Sequence, residues 1–394
     1  GNELDLECLN GKESCVQPDA YETRASAYTD ALRAVDSSLS VVGGVPASGH
    51  AFFGANDYSG NTTEMSPWLY RGRDAGVQSL SYHWYTGCNL SALDNVLTYS
   101  WDAPYTAWQN TYTRIWSQIG PERVEAEVIE GRGLTQGITE LNVDACNHER
   151  APVNSNHINA VWMADVIGRL GYNGLDYVTW YQGYGNQGQG YPAIATESDF
   201  TPWGGGPIYL RPSYYTLFLY GNFFGDQYVQ SASADEGQLS IWASTDSQEP
   251  GTLKIIVVNI SDAASTDPLT ISGFTPVSGK KYTLSNADPL NMTDESNGPN
   301  HGTTINGMTL TAENVLSATS ELQNNAPAVA FSGDQVVEEC PPFTVTALVL
   351  YGDSGPPSPT STPESPTDTP VPPTATPYTS TATPVTPTAT ALPP

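Results

Sequence analysis

Positive charge is scarce in this chain of 394 residues: 14 Lys and Arg stand against 42 Asp and Glu, a formal net charge of −28. A surface of that sign repels phosphate, which makes nucleic acid and anionic membranes poor partners and leaves neutral ligands compatible. Charge of either sign is sparse, at 14% of residues, whereas Gly (36), Tyr (22) and Trp (9) are abundant. That balance suggests a loop-rich extracellular protein and not a cytosolic helical one. No run of about 20 apolar residues occurs, so nothing reads as a membrane span. The chain opens at Gly1 without a Met or a basic leader, so any export signal is expected upstream.

Cysteine is also limited, to Cys8, Cys15, Cys88, Cys146 and Cys340. No C-x-x-C pair is present, which argues against a zinc or redox site. Cys8 and Cys15 flank a short polar loop, and a disulfide between them suits an oxidising compartment. Cys88 and Cys146 each follow an expected strand, so they could meet across loops on one face; five unpaired thiols is the alternative. There is no EF-hand-like loop and no His-x-x-x-His, so no metal and no cofactor are expected. Asn-x-Ser/Thr sequons at Asn61, Asn89, Asn259 and Asn291 fit an exported chain but are common by chance.

Three textures divide the chain. Over 1–225, short apolar strands alternate with amphipathic helices. Pro18 opens a helix with Tyr21, Ala25, Tyr28, Leu32 and Val35 on one face. Further helices are expected over 105–119, around Ile158 to Leu170, and over 212–223. Strands are expected at 40–44, 79–85, 136–141 and 176–181. Such alternation implies parallel strands joined by crossover helices. Over 226–352 the helical periods vanish, and runs at 239–243, 253–258 and 344–351 read as strands of an all-β sandwich domain. Residues 354–394 hold 13 Pro and 12 Thr with no Lys or Arg. That composition buries no core and reads as a disordered linker to a further module or a cell-surface anchor.

Two acids stand out. Gly137-Ile138-Thr139-Glu140-Leu141 is an apolar strand carrying one carboxylate near its end, which is costly unless it is paired or used. Gly1-Asn2-Glu3 precedes a loop and the Pro18 helix, and the interval between the two acids accommodates three β/α units. Retaining hydrolysis of a glycosidic bond needs two carboxyl groups about 5–5.5 Å apart, one protonated and one ionised. In a β/α barrel they come from strand ends on the C-terminal face.

With Asn2-Glu3 and Thr139-Glu140 so spaced, the chain resembles the clan of retaining (β/α)8 glycoside hydrolases that includes β-xylosidases, α-L-arabinofuranosidases and endoglucanases. The resemblance implies Glu3 at the end of strand four as general acid/base and Glu140 at the end of strand seven as nucleophile. It gives Asn2 a hydrogen bond to the sugar 2-hydroxyl. His83 and Tyr85 fall at the end of strand six, with the Tyr85 hydroxyl against the nucleophile. Trp180 ends strand eight as a flat platform under the sugar. Asn142 and Asp144, just after Glu140, and Asn56-Asp57 are further candidates to line the cleft. Leu4 replaces the clan's usual Pro, and strands one to three, with the clan's Arg on strand two, are absent from the chain as it stands.

The fold class expected is therefore α/β: the C-terminal half of a (β/α)8 barrel over 1–225, a β-sandwich accessory domain over 226–352, and the Pro/Thr-rich tail over 353–394. The function implied is hydrolysis of a plant cell-wall type polysaccharide or oligosaccharide outside the cell. A non-catalytic carbohydrate-binding protein on a decayed barrel is the rival reading, and the pair of strand-end glutamates, which a lectin does not need, separates the two.

Overall fold

The computed structural model describes residues 16–43, 71–72, 74–87, 135–144, 156–172, 174–186, 192–196, 208–234, 238–266, 268–289, 302–333 and 335–353. Asn2, Glu3, Asn56, Asp57, Cys8, Cys15, Cys88, Cys146, the helix expected over 105–119 and the Pro/Thr-rich segment from 354 lie outside these residues, as do the sequons at Asn61, Asn89 and Asn291.

The first helix, α1, is Pro18–Val35, with Pro18 in its first turn, where the missing N–H costs nothing. Four parallel strands follow in chain order across one sheet: β1 (Val42–Gly43), β2 (Ser79–Gly87), β3 (Thr135–Asp144) and β4 (Tyr177–Trp180). Helix α2 (His157–Tyr172) connects β3 to β4 and is buried along most of its length. Its crossover explains why β3 reads as an apolar run: a parallel sheet is covered on its faces. A small sheet of β5 (Tyr184–Asn186), β6 (Ile194–Thr196) and β7 (Ile208–Leu210) follows β4 and leads into α3 (Pro212–Phe223). Helices α2 and α3 pack side by side. Thr216 donates to the Ala160 carbonyl at 2.7 Å and the Tyr220 hydroxyl to the Ala164 carbonyl at 2.6 Å, four residues apart on both helices.

One expectation fails on α1. The apolar stripe from Tyr21 to Val35 does not turn inward along its length: Tyr28 and Leu32 are exposed, and Val35 is 87% exposed. Polar anchors decide the orientation. Arg71 pairs with Asp19 at 2.6 Å and Glu22 at 3.0 Å, Arg33 donates to the Gly76 carbonyl at 2.9 Å, and Thr29 is buried between them. Glu22, Thr29 and Arg33 lie on one helical face, and that face is the one held against residues 71–76.

Past residue 226 the chain forms an antiparallel sheet of β8 (Gln227–Val229), β9 (Leu239–Thr245), β10 (Thr252–Asn259), β12 (Ser278–Ser285), β13 (Thr304–Ile305) and β16 (Thr344–Tyr351), in the order β13-β12-β16-β10-β9-β8. A three-stranded sheet comprises β11 (Leu269–Thr270), β14 (Phe331–Ser332) and β15 (Gln335–Val336). The larger sheet is apolar on both faces. Ile256 and Val258 of β10 and Val345, Ala347 and Val349 of β16 join the core built by α2 and α3. Leu253, Ile255 and Val257, with Leu348 and Leu350, face a second core that includes Ile271 and Val336. Alternation with period two thus serves two cores at once, which removes the polar-out pattern of a half-solvated sheet.

Two expectations need correction here. The region is not all-β: helix α4 (Val315–Asn325) lies within it, buried only at Ala318 and Leu322. Two apolar contacts one turn apart are too thin a stripe to stand out from sequence. The sequon at Asn259 is no glycan acceptor in this fold. Its side chain is buried and its Nδ2 donates to the carbonyls of Ala263, Cys340 and Pro341 at 2.8, 2.8 and 3.0 Å. Cys340, the one cysteine among the described residues, is a buried free thiol, and burial pushes its pKa up to about 11.

Two side chains fasten the six-stranded sheet to the helices. Phe223 of α3 stacks on Tyr282 of β12 with centroids 3.7 Å apart and planes 9° apart. His157, at the start of α2, is buried with Nε2 2.8 Å from the Phe343 carbonyl and Nδ1 3.1 Å from the Thr303 hydroxyl. The carbonyl can only accept, so Nε2 carries the proton and Nδ1 receives the hydroxyl of Thr303. The neutral ring suits both partners, and burial lowers its pKa from 6.5 to about 4.

Because the folded form resists protonation while the unfolded form titrates normally, the stability due to His157 is present above pH 6.5. It is lost as pH falls toward 4, by roughly 3 kcal/mol in all. Urea unfolding followed from pH 7 to 4 is expected to show this slope, and His157→Gln to remove that part of it. The second prediction concerns Gly168 in α2, where a Cβ would lie 2.2 Å from Cδ1 of Trp242. Helix propensity favours Ala over Gly by about 1 kcal/mol, but overpacking a buried indole costs about 1–3 kcal/mol. Gly168→Ala is therefore expected to lower the unfolding free energy, in spite of the better helix former.

Candidate active site

Between β2, β3 and β4 the ladder is irregular at one place. Against β2, Tyr82 pairs with Ile138 and His83 with Glu140, so Thr139 has no counterpart. Against β4, Ile138 pairs with Val178 and Leu141 with Trp180, so Thr139 and Glu140 together oppose Thr179. Strand β3 thus carries one extra residue relative to both neighbours, and the Thr179 hydroxyl donates to the Thr139 carbonyl across the irregularity. A bulge re-aims the side chains beside it and is a common device at barrel rims and active sites.

The re-aimed side chain is Glu140. Its Oε2 lies 3.3 Å from Nδ1 of His83; the imidazole is 1% exposed and the carboxylate 20% exposed. The arrangement gives one partly solvated carboxylate set against a buried ring. Below it the sheet is closed by Tyr177, whose hydroxyl lies 2.7 Å from Ser79 Oγ and donates to the Leu80 carbonyl at 3.3 Å. Burial, first of all, raises the Tyr177 pKa. Gly137 leaves room for that ring: a Cβ there would lie 2.2 Å from Tyr177 Cε2.

Trp180 ends β4, is half-buried, and packs on Trp162 of α2 with centroids 6.3 Å apart at 56°. Tyr85 stands in β2 at the register position of Asn142, two pairs beyond His83 and Glu140. The structure therefore brings His83 and Glu140 into contact and sets Trp180 on the next strand, while Asn2 and Glu3 lie outside the described residues. Strand β3 also runs to Asp144, beyond the end expected near Leu141.

Asn142, a candidate cleft residue, is instead fully buried. Its Nδ2 donates to the Tyr181 carbonyl at 2.6 Å, and its Oδ1 receives Nδ2 of Asn159 at 3.4 Å. Nothing in the sequence marked this link, because it joins a side chain of β3 to the backbone just after β4, 39 residues away in the chain. Among the described residues no group of three or more His, Cys, Asp or Glu is arranged to hold a metal ion.

No protein-family model matches this sequence, and no curated protein does. Solved structures do match. A bifunctional glucanase-xylanase from a metagenome library, CelM2, aligns with a TM-score of 0.58 at 18% identity, over 89% of this chain and 63% of its own. A family 44 xyloglucanase from Paenibacillus polymyxa aligns at 0.58 and 16% identity, over 89% and 65%. A family 51 α-L-arabinofuranosidase from Thermotoga petrophila aligns at 0.54 and 16% identity, again over 89% and 65%. The chain spans just under two thirds of the length of these structures. At such identities the likeness is one of fold, and the four parallel strands described here do not close into a barrel.

Proposed function

We propose that this chain carries the nucleophile half of a retaining glycoside hydrolase, with Glu140 attacking the anomeric carbon and Glu3 serving as general acid/base. The observation that carries the reading is Glu140 itself: a partly exposed carboxylate on a bulged parallel strand, 3.3 Å from a buried His83, in a fold shared with glucanases, a xylanase and arabinofuranosidases. A strand carboxylate held this way is oriented without being buried, which suits a group that must stay ionised and reach a substrate.

In the first step Glu3 gives its proton to the leaving oxygen as Glu140 forms a covalent glycosyl ester. In the second, Glu3 takes a proton from water, which attacks the ester and regenerates Glu140. The charge on Glu140 favours the protonated form of Glu3 and disappears on esterification, so the same group then works as a base. Asn2 receives the 2-hydroxyl, Tyr85 adds its hydroxyl beside the nucleophile, and Trp180 offers its indole face to the C–H face of a sugar. No cofactor enters these steps.

A neutral cell-wall polysaccharide or an oligosaccharide from one suits a chain with a net charge of −28. Residues 1–225 form the partial catalytic barrel in this reading, 226–352 an accessory β-sandwich that braces it, and 353–394 a tether. Export is supported by composition, and among the described residues no helix is long and apolar enough to cross a membrane.

The full-length gene product is expected to hydrolyse at least one of a panel of aryl glycosides and cell-wall polysaccharides. Glu140→Gln should lower kcat by about 10³-fold or more with the fold intact by circular dichroism. Binding without cleavage of any substrate contradicts the reading. Trp180→Ala is expected to raise KM about tenfold with a smaller effect on kcat, since the ring supplies binding surface and no proton. An unchanged KM removes Trp180 from the site.

A further inference from the structure

The bond from Asn142 to Tyr181 does more than satisfy a buried carbonyl. Tyr181 directly follows Trp180, and its backbone is held by β3 through both its N–H and its carbonyl. Its N–H donates to the Leu141 carbonyl at 3.1 Å, and its own carbonyl receives Nδ2 of Asn142 at 2.6 Å. The carbonyl can only accept, so the Asn142 amide is turned with its nitrogen toward Tyr181 and its oxygen toward Asn159. The backbone of Asn159 is held in turn at the start of α2, its main-chain N–H donating to Oδ1 of Asn156 at 3.2 Å. Asn159 and Trp162 stand three residues apart on α2 and so share one face of that helix. One face of α2 thereby reaches both parts of the same unit: Asn159 holds Asn142, and Trp162 packs on the indole of Trp180.

We propose that Asn142 is a positioning residue that sets Trp180 against Glu140, and that it controls sugar affinity through Trp180 without touching the sugar. Glu140 lies two residues before Asn142 on β3, so the clamp references the platform to the strand that carries the carboxylate. The inference rests on the reading of Trp180 as a sugar platform. A purely structural Asn142 would be needed equally whether or not an indole stands at 180.

The test is a double-mutant cycle on affinity. Binding of cellohexaose and xylohexaose is measured by calorimetry in the full-length protein carrying Glu140→Gln, which blocks turnover. Four forms are compared: that parent, Asn142→Ala, Trp180→Ala, and the pair. Asn142→Ala is expected to weaken binding about tenfold when Trp180 is present and less than twofold when it is absent. Equal losses in both backgrounds, or no loss in either, overturn the inference. Should Asn142→Ala fail to fold, Asn159→Ala, which keeps the Asn142 donor but frees its orientation, takes its place with the same expectations. A parent that binds neither sugar overturns the platform reading and this inference with it. Full activity of Glu140→Gln, by contrast, defeats only the assignment of the nucleophile, and the affinity cycle is then read with thio-linked oligosaccharides that are not hydrolysed.

Discussion

One residue too many is fitted into β3 between its two neighbours, and the geometry of the candidate site descends from that misfit. Without Thr139 as an unmatched position, His83 would face a different residue and the register to β4 would shift by one. A one-residue slip in a strand exchanges its faces, so the carboxylate would turn away from the imidazole and Leu141 would leave the core. The contact of Glu140 with His83, the pairing of Leu141 with Trp180 and the reach of Asn142 to Tyr181 are three consequences of the same bulge.

Such a bulge needs rigid surroundings. Helix α2 supplies them from one side, packed between the parallel sheet and the six-stranded antiparallel sheet. The antiparallel sheet is more than an appendage, since one of its apolar faces closes the core that α2 and α3 open. Trp242 over Gly168 and Tyr282 on Phe223 leave little freedom for the helices to slide, because close-packed interiors transmit displacement instead of absorbing it. His157 adds a hydrogen-bonded link at the beginning of α2, the end that also carries Asn159. Accessory sheet, helix and site residues are thus joined through one helix.

Much of this was legible in the sequence where a single period governs a segment. Helices α2 and α3 and strands β2, β10 and β16 lie where their apolar spacing and the Pro at 212 put them. Glu140 was legible as the odd acid in an apolar strand. The bulge was not, because Thr139 is an ordinary β-former and the extra residue exists only relative to partners far away in the chain. The clamp of Asn142 on Tyr181 was hidden for the same reason. On α1 the hydrophobic pattern misled: its apolar stripe competes with Asp19, Glu22 and Arg33, and the ion pairs to Arg71 and the bond to Gly76 prevail. Asn259 misled in another way, since a sequon records a local triplet and not the burial that rules out its use.

In the proposed reaction Glu140 becomes covalently attached to a sugar. Incubation of the full-length gene product with activated 2-deoxy-2-fluoro glycosides, which slow release of a glycosyl ester more than its formation, tests this by mass spectrometry. One sugar per protein is expected, on the peptide that contains Glu140. Turnover with no trapped species and a product of inverted anomeric configuration, or a label on a different carboxylate, would contradict it.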